Sequence, residues 1–264
     1  MKNRSDLGRL FFAIAMIGAG LQQLIRQDFV RLVPPLPSWI KWPFLWADVS
    51  GVVLILAGLA IALNRIRRPA ALVVGVLFVG VFILHLPGVA ANPGAGFMWT
   101  NPCKALALFG GASLLALSST PPQADGFEVN YKVAGRARVL STVCFAGFFV
   151  VCGVQHFVYA DFVIQMIPGW LPLPRVWTYF TGVALIAGGV GVMVRPVAVV
   201  AATLSGLMIF LWVVLLHIPR VLASWPDAGE TAGVFEALAL SGTALLLAGS
   251  RVGRRGAVDP ESRK

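Results

Sequence analysis

The chain has 264 residues, of which 58% are hydrophobic and only 12% charged, about half the charged fraction of a soluble domain. That composition excludes a water-soluble globular protein and marks a membrane protein. The net charge of +10 does not signal nucleic acid, because the cations are sorted by loop and not gathered into one basic patch.

Apolar runs near 10–25, 44–63, 70–86, 104–118, 139–158, 176–194, 196–216 and 232–249 predict eight spanning helices, the fourth the shortest. The first run is followed by further spans and carries no small-residue cleavage site, so it is expected to be a retained helix. With the N-terminus inside, the inner segments hold fifteen of the 21 cations, among them Lys2, Arg65, Arg67, Arg68, Arg136, Arg195, Arg251 and Lys264. Arg26, Arg31, Lys41, Lys104, Arg175 and Arg220 fall on the opposite side, where six acids balance them. This asymmetry predicts both termini in the cytoplasm and an inner or plasma membrane location. Seven of the eight tryptophans, Trp39, Trp42, Trp46, Trp99, Trp170, Trp177 and Trp225, cluster at or near the outer boundary, where amphipathic rings anchor helix ends.

An ordered series of residues occurs twice along these helices. Gln22-Gln23, Asp28-Phe29-Val30 and Pro35 return as Gln155-His156, Asp161-Phe162-Val163 and Pro168, at a spacing of 133. Ser50-Gly51 returns as Thr181-Gly182, Leu84-His85-Leu86-Pro87 as Leu216-His217-Ile218-Pro219, and Ala105-Leu106-Ala107-Leu108 as Ala237-Leu238-Ala239-Leu240. A series of this length is an internal repeat. Its reading is an all-α integral membrane fold of two parallel-oriented four-helix bundles, because an even number of helices brings the second copy in the same way up. The expected divisions are 1–118 for the first repeat, 119–136 for a cytoplasmic linker around Ser118–Gly126, 137–250 for the second repeat and 251–264 for a disordered basic tail. Between the first two helices of each copy, the proline-bearing stretches Val30–Trp39 and Val163–Pro172 predict a short interfacial helix and a bent segment on the outer surface, with Asp28 and Asp161 as helix caps.

The rare polar residues of the helices converge on the outer third of the membrane. Gln22, Gln23, Gln155 and His156 lie near the outer ends of helices one and five, His85 and His217 near those of three and seven, and Lys104 and Glu236 open helices four and eight from the same side. Polar groups at membrane depth are costly, so they raise a functional expectation. The copies differ: Gln23, His85 and Lys104 in the first match His156, His217 and Glu236 in the second. Two imidazoles and a carboxylate can exchange protons, so His156, His217 and Glu236 are the expected catalytic set, with Gln155, His85, Lys104, Gln22 and Gln23 as binding residues. The structural alternatives are that the histidines satisfy carbonyls at helix ends and that Lys104 and Glu236 pair across the pseudo-twofold. Cys103, Cys144 and Cys152 show no metal-ligand spacing, and no metal site is assigned.

Gly153-Val154-Gln155-His156-Phe157, followed by Phe162, Ile167-Pro168, Leu171-Pro172 and Thr181-Gly182, resembles the DoxX-like family of four-helix membrane proteins. The first half fits the same frame with Gln23 in place of the histidine, so the resemblance covers most of 8–118 and 137–249. It implies a quinone-linked or redox-accessory protein with an oxidoreductase partner subunit, since the family includes a membrane subunit of thiosulfate:quinone oxidoreductase. The competing expectations are a non-enzymatic assembly or structural factor and a small-molecule transporter. A transporter needs polarity near the midplane, which is dry here. Haem held by His85 and His217 ranks last, because equivalent residues need not face one another.

Overall fold

The computed structural model describes residues 2–117, 131–224 and 227–255. The expected linker centre at 118–126, Trp225 and the end of the tail at 256–264 lie outside the described residues. The elements are α1 (Lys2–Arg26), α2 (Pro43–Ala62), α3 (Arg67–Ala91), α4 (Thr100–Leu117), α5 (Tyr131–Val158), α6 (Ala160–Met166), α7 (Pro174–Met193), α8 (Ala198–Trp212), α9 (Ile218–Ala223) and α10 (Ala228–Arg255). A 3-10 turn at Gly96–Trp99 leads into α4, and a π turn at Val213–His217 joins α8 to α9. No strand occurs among the described residues.

Among the described residues seven segments are long and apolar enough to cross a membrane, with α8, the π turn and α9 counting as one run, Ala198–Ala223. Their flanks leave Ile14, Leu56, Val76, Val143, Val200 and Leu204 exposed, as lipid-facing positions require. Of the eight expected spans, α4 is the one outside this set. Its first turn carries Thr100, Asn101 and Lys104, and its remainder is shielded by α3, α5 and α10.

Proline and close packing fix the helix positions. Pro43 and Pro174 stand at the starts of α2 and α7, where a missing N–H costs nothing. Each is preceded by a left-handed residue, Trp42 at φ 56° and Leu173 at φ 57°. Glycine then brings neighbours together: a Cβ on Gly20 would lie 2.4 Å from the Gly51 carbonyl oxygen, and one on Gly153 would lie 2.8 Å from that of Gly182. Gly58 packs on Ala13 and Ile17, and Gly189 on Ala146 and Val150. Gly75 faces Ala112, and Gly206 faces Ala244.

The long helices form a closed circuit in the order α1, α2, α3, α4, α5, α7, α8, α10 and back to α1, with α4 and α10 also in contact across the middle. The four helices of each half therefore do not close on themselves but on helices of the other half. The last helix of the first half leans on α5, and the last helix of the second half leans on α1. The reason is side-chain size. Gly8 and Gly242 let α1 and α10 approach until a Cβ on either would sit 2.7 Å from the other's carbonyl oxygen, and every residue from 237 to 248 is buried.

The proline-bearing connections differ from expectation. Residues 27–42 contain no helix, because Pro34, Pro35 and Pro37 remove donors and bar helical geometry. The second connection does hold one, α6, but its N-cap position is Tyr159, and Asp161 sits in the first turn. Asp28 accepts a hydrogen bond from the Phe29 N–H at 2.7 Å, so neither aspartate is the cap the sequence suggests. At the opposite helix ends, α5 starts at Tyr131 and α10 runs to Arg255, so helix enters both the expected linker and the expected tail.

Candidate functional site

The helix circuit brings the starts of α4 and α10 together. Lys104 Nζ donates to Glu236 Oε2 at 2.5 Å, both side chains being less than one-fifth exposed. The partners come from corresponding turns of the two halves, and Lys104 Nζ also lies 3.4 Å from Asn101 Oδ1. An ion pair of this kind keeps two charges at membrane depth without leaving either uncompensated.

His217 ends the π turn and packs on α10, where a Cβ on Gly233 would lie 2.9 Å from its Nδ1. The imidazole is within electrostatic reach of Glu236, Glu230, Arg220 and Lys104. Above it, Arg220 forms a two-pronged pair with Glu230, Nε to Oε2 at 2.7 Å and Nη2 to Oε1, and donates from Nη1 to the Met166 carbonyl at 3.1 Å. A planar fork on a carboxylate is the geometry that makes Arg the stronger partner. A chain of ionisable groups therefore runs from Arg220 near the end of α9 to Lys104 on the α4–α10 contact.

The other expected site residues are not part of that chain. His156 faces α7, and its Nδ1 lies 2.7 Å from the Cys152 carbonyl; among the described residues no hydrogen bond or ion pair joins it to His217 or Glu236. Gln23 is buried, with Oε1 accepting from the Ser50 hydroxyl at 2.8 Å. Gln22 is also buried on α1. Gln155 bridges to the α4 entry, donating to the Gly96 carbonyl at 2.7 Å and accepting from the Thr100 hydroxyl at 2.8 Å. His85 reaches the outer connection, with Nε2 at 2.9 Å from the Leu32 carbonyl, the contact that defines the ring nitrogen as donor.

A cavity of about 40 Å³ opens beside Glu236. Ala15 and Met16 of α1, Phe78 of α3 and Leu108 of α4 line it, and Val30 and Leu32 of the outer connection close it. Glu236 is its one charged lining residue. The cavity has one readable sign in the sequence, the small Ala15 at the position where the second copy carries Phe148. The Arg220–Glu230 pair has none, because both residues read as loop charges.

At the start of α10, Asp227 Oδ1 accepts from the Gly229 N–H at 2.6 Å and the Glu230 N–H at 3.0 Å. Those donors, that of Glu230 first, hold its carboxyl below the ordinary value, with Arg31 and Arg26 adding attraction. Cys103, Cys144 and Cys152 are free thiols. Among the described residues no group of three or more His, Cys, Asp or Glu side chains is placed to hold a metal.

Comparison with known families finds two matches: residues 5–86 fit the DoxX family model, and residues 145–245 fit a domain of unknown function (DUF8561). No curated protein and no solved structure matches the chain.

Proposed function

Taking residues 5–86 as a DoxX-family segment, we propose that this multi-pass membrane protein is redox-associated, either quinone-linked itself or accessory to a membrane oxidoreductase. The reading rests on one arrangement: the Lys104–Glu236 pair, with His217 beside it, borders an apolar cavity. A carboxylate and an imidazole together relay protons, and an apolar wall suits a lipid-soluble headgroup. His217 and Glu236 are the proton-handling residues in this proposal, with Lys104, His85, Gln22, Gln23 and Gln155 shaping the binding region. His156 is assigned a packing role against α7.

The proposal includes an inner or plasma membrane location with both termini cytoplasmic, supported by the sorting of cations. It also includes eight spans in two parallel repeats. Matched contacts support that layout: Gly20 with Gly51 and Ile55 recurs as Gly153 with Gly182 and Ile186, and Gly75 with Ala112 as Gly206 with Ala244. A second reading, an assembly factor without chemistry, is favoured by the internal satisfaction of Gln23, Gln155, His85 and His156.

The test is purification in mild detergent followed by quinone extraction and an absorption spectrum. The redox reading expects a retained quinone that is lost in the charge-swapped variant Lys104→Glu with Glu236→Lys at equal membrane abundance. A Soret band would instead mark haem, and the absence of both quinone and Soret band would leave the assembly role.

A further inference from the structure

The two halves differ most where one is hollow and the other is filled. At the spacing of 133 that relates α1 to α5, Ala15 and Met16 correspond to Phe148 and Phe149. Both phenylalanines are buried, Phe149 completely, and their rings pack on one another at 6.0 Å. Across α4 and α10, at a spacing of 132, Glu236 corresponds to Lys104. The packing around α1 thus combines small wall residues with a carboxylate brought by α10 of the second half, and the packing around α5 combines aromatic filling with the neighbouring α4, which carries the ammonium.

The cover of the cavity also differs from the corresponding segment of the second half, although Trp42 and Leu173 share a left-handed backbone. Leu32 is buried although Arg31 beside it is exposed, so its side chain plugs the outer end. The segment that carries it has no helix and is bounded by two non-glycine residues in the left-handed region, Gln27 at φ 53° and Trp42 at φ 56°. Such conformations are strained and mark places where backbone changes direction. The outer face of this segment forms a second, open cup of about 480 Å³ lined by Asp28, Phe29, Val33 and several prolines. His85 reaches the segment's backbone, with Nε2 2.9 Å from the Leu32 carbonyl, and Arg31 packs on Gly229 at the start of α10. The corresponding segment of the second half contains α6 and is tied by Arg220 to Met166.

We propose that the cavity beside Glu236 is a ligand-binding site for the hydroxyl-bearing end of a small apolar molecule, entered from the outer cup when residues 28–41 lift away, with Leu32 as plug and His85 as latch. The wall chemistry selects the class. The wall is almost wholly apolar and takes the body of the ligand, and Glu236, bonded to Lys104 at the edge of the cavity, is an acceptor only. Lys104 already neutralises the carboxylate, so a neutral donor fits where a second cation does not. Size agrees with a lid: about 40 Å³ is room for little more than water, whereas an apolar cavity of about 150 Å³ receives a benzene ring. Withdrawal of the Leu32 side chain brings the cavity toward that range. The inference rests on Glu236 facing the ligand, as in the proposed function, but not on redox chemistry.

Cysteine accessibility in the full chain tests it, with Cys103, Cys144 and Cys152 replaced by serine and Ala19→Cys placed on the cavity wall. Methyl methanethiosulfonate, small and neutral, should label position 19 slowly. His85→Ala should raise that rate at least about tenfold, His85→Gln, which keeps a donor, should restore it, and a control Ala244→Cys between α8 and α10 should stay unreactive. Phenol should slow labelling in the His85→Ala background and lose that effect when Ala15→Phe and Met16→Phe import the second half's filling. An unchanged rate at position 19, or an equal rise at positions 19 and 244, would overturn the lid. Labelling indifferent to phenol would overturn the ligand assignment. Phenol protection with no quinone retained would leave this site standing and remove only the redox reading.

Discussion

Glu236 and Lys104 concentrate the chemistry at the residue scale. Removing one partner strands the other charge in a low-dielectric setting, which costs about 3–5 kcal/mol in buried pairs. Glu236→Ala or Lys104→Ala should therefore lower the midpoint of thermal unfolding by on the order of 10 °C, read by size-exclusion of heated samples. The swapped pair Lys104→Glu with Glu236→Lys retains the attraction and should recover most of that loss while failing the quinone test. Recovery of both stability and quinone binding would show the pair to be structural only. Asp227 carries a pH prediction. Its carboxyl titrates below its unfolded value, so its stabilisation is complete above about pH 3.9 and is lost as pH falls through the lowered folded value. Asp227→Ala should be less stable than the parent at neutral pH, and the difference should close on acidification. Asp227→Asn, which still caps, should stay near the parent.

Element packing depends on which glycines face backbone. Gly8 and Gly242 meet each other's carbonyls, whereas a Cβ on Gly80 or Gly147 would meet nothing within 4 Å. Gly8→Ala and Gly242→Ala should each cost about 1–3 kcal/mol by forcing α1 and α10 apart. Gly80→Ala and Gly147→Ala should be neutral or gain about 0.5–1 kcal/mol from the better helix former. Thermal midpoints of the four variants decide this, and uniform losses would refute the close-approach account. The π turn explains a detail of the repeat. The spacing is 131 at Gly75 and Gly206 but 132 at His85 and His217, and Val213–His217 lies between those points. A π turn accommodates one extra residue in a helix. Deleting Leu215 should rotate His217 and Arg220 by about 100°, break the Arg220–Glu230 pair and destabilise the protein as much as Arg220→Ala does.

At the scale of the whole molecule, the exchange of last helices makes the halves interdependent. Residues 1–117 alone lack α10, the partner of α1, and residues 131–264 alone lack α4, the partner of α5. Each should aggregate when expressed singly, and co-expression should restore a monodisperse complex; a stable isolated half would contradict this. Orientation is checked by single cysteines in a cysteine-free background. Asn92→Cys and Asp227→Cys should react with impermeant maleimide in intact cells, and Gln123→Cys should not.

The membrane class, the helix periods and the internal repeat were legible in the chain because they depend on local composition and on residue order. The pairing of Lys104 with Glu236 is one of two arrangements the sequence allows, since depth along a helix can be read from sequence but rotation about its axis cannot. That rotation decided the rest. It turned His156 toward α7 and away from Glu236, set His85 against Leu32, and joined Arg220 to Glu230. Helix exchange likewise had no local signature, because the same apolar stripe on α1 serves a neighbour from either half. The tertiary structure also revealed which half is hollow. Ala15 and Met16 are ordinary core residues in isolation, and they define a cavity only when α10 carries a carboxylate to its edge.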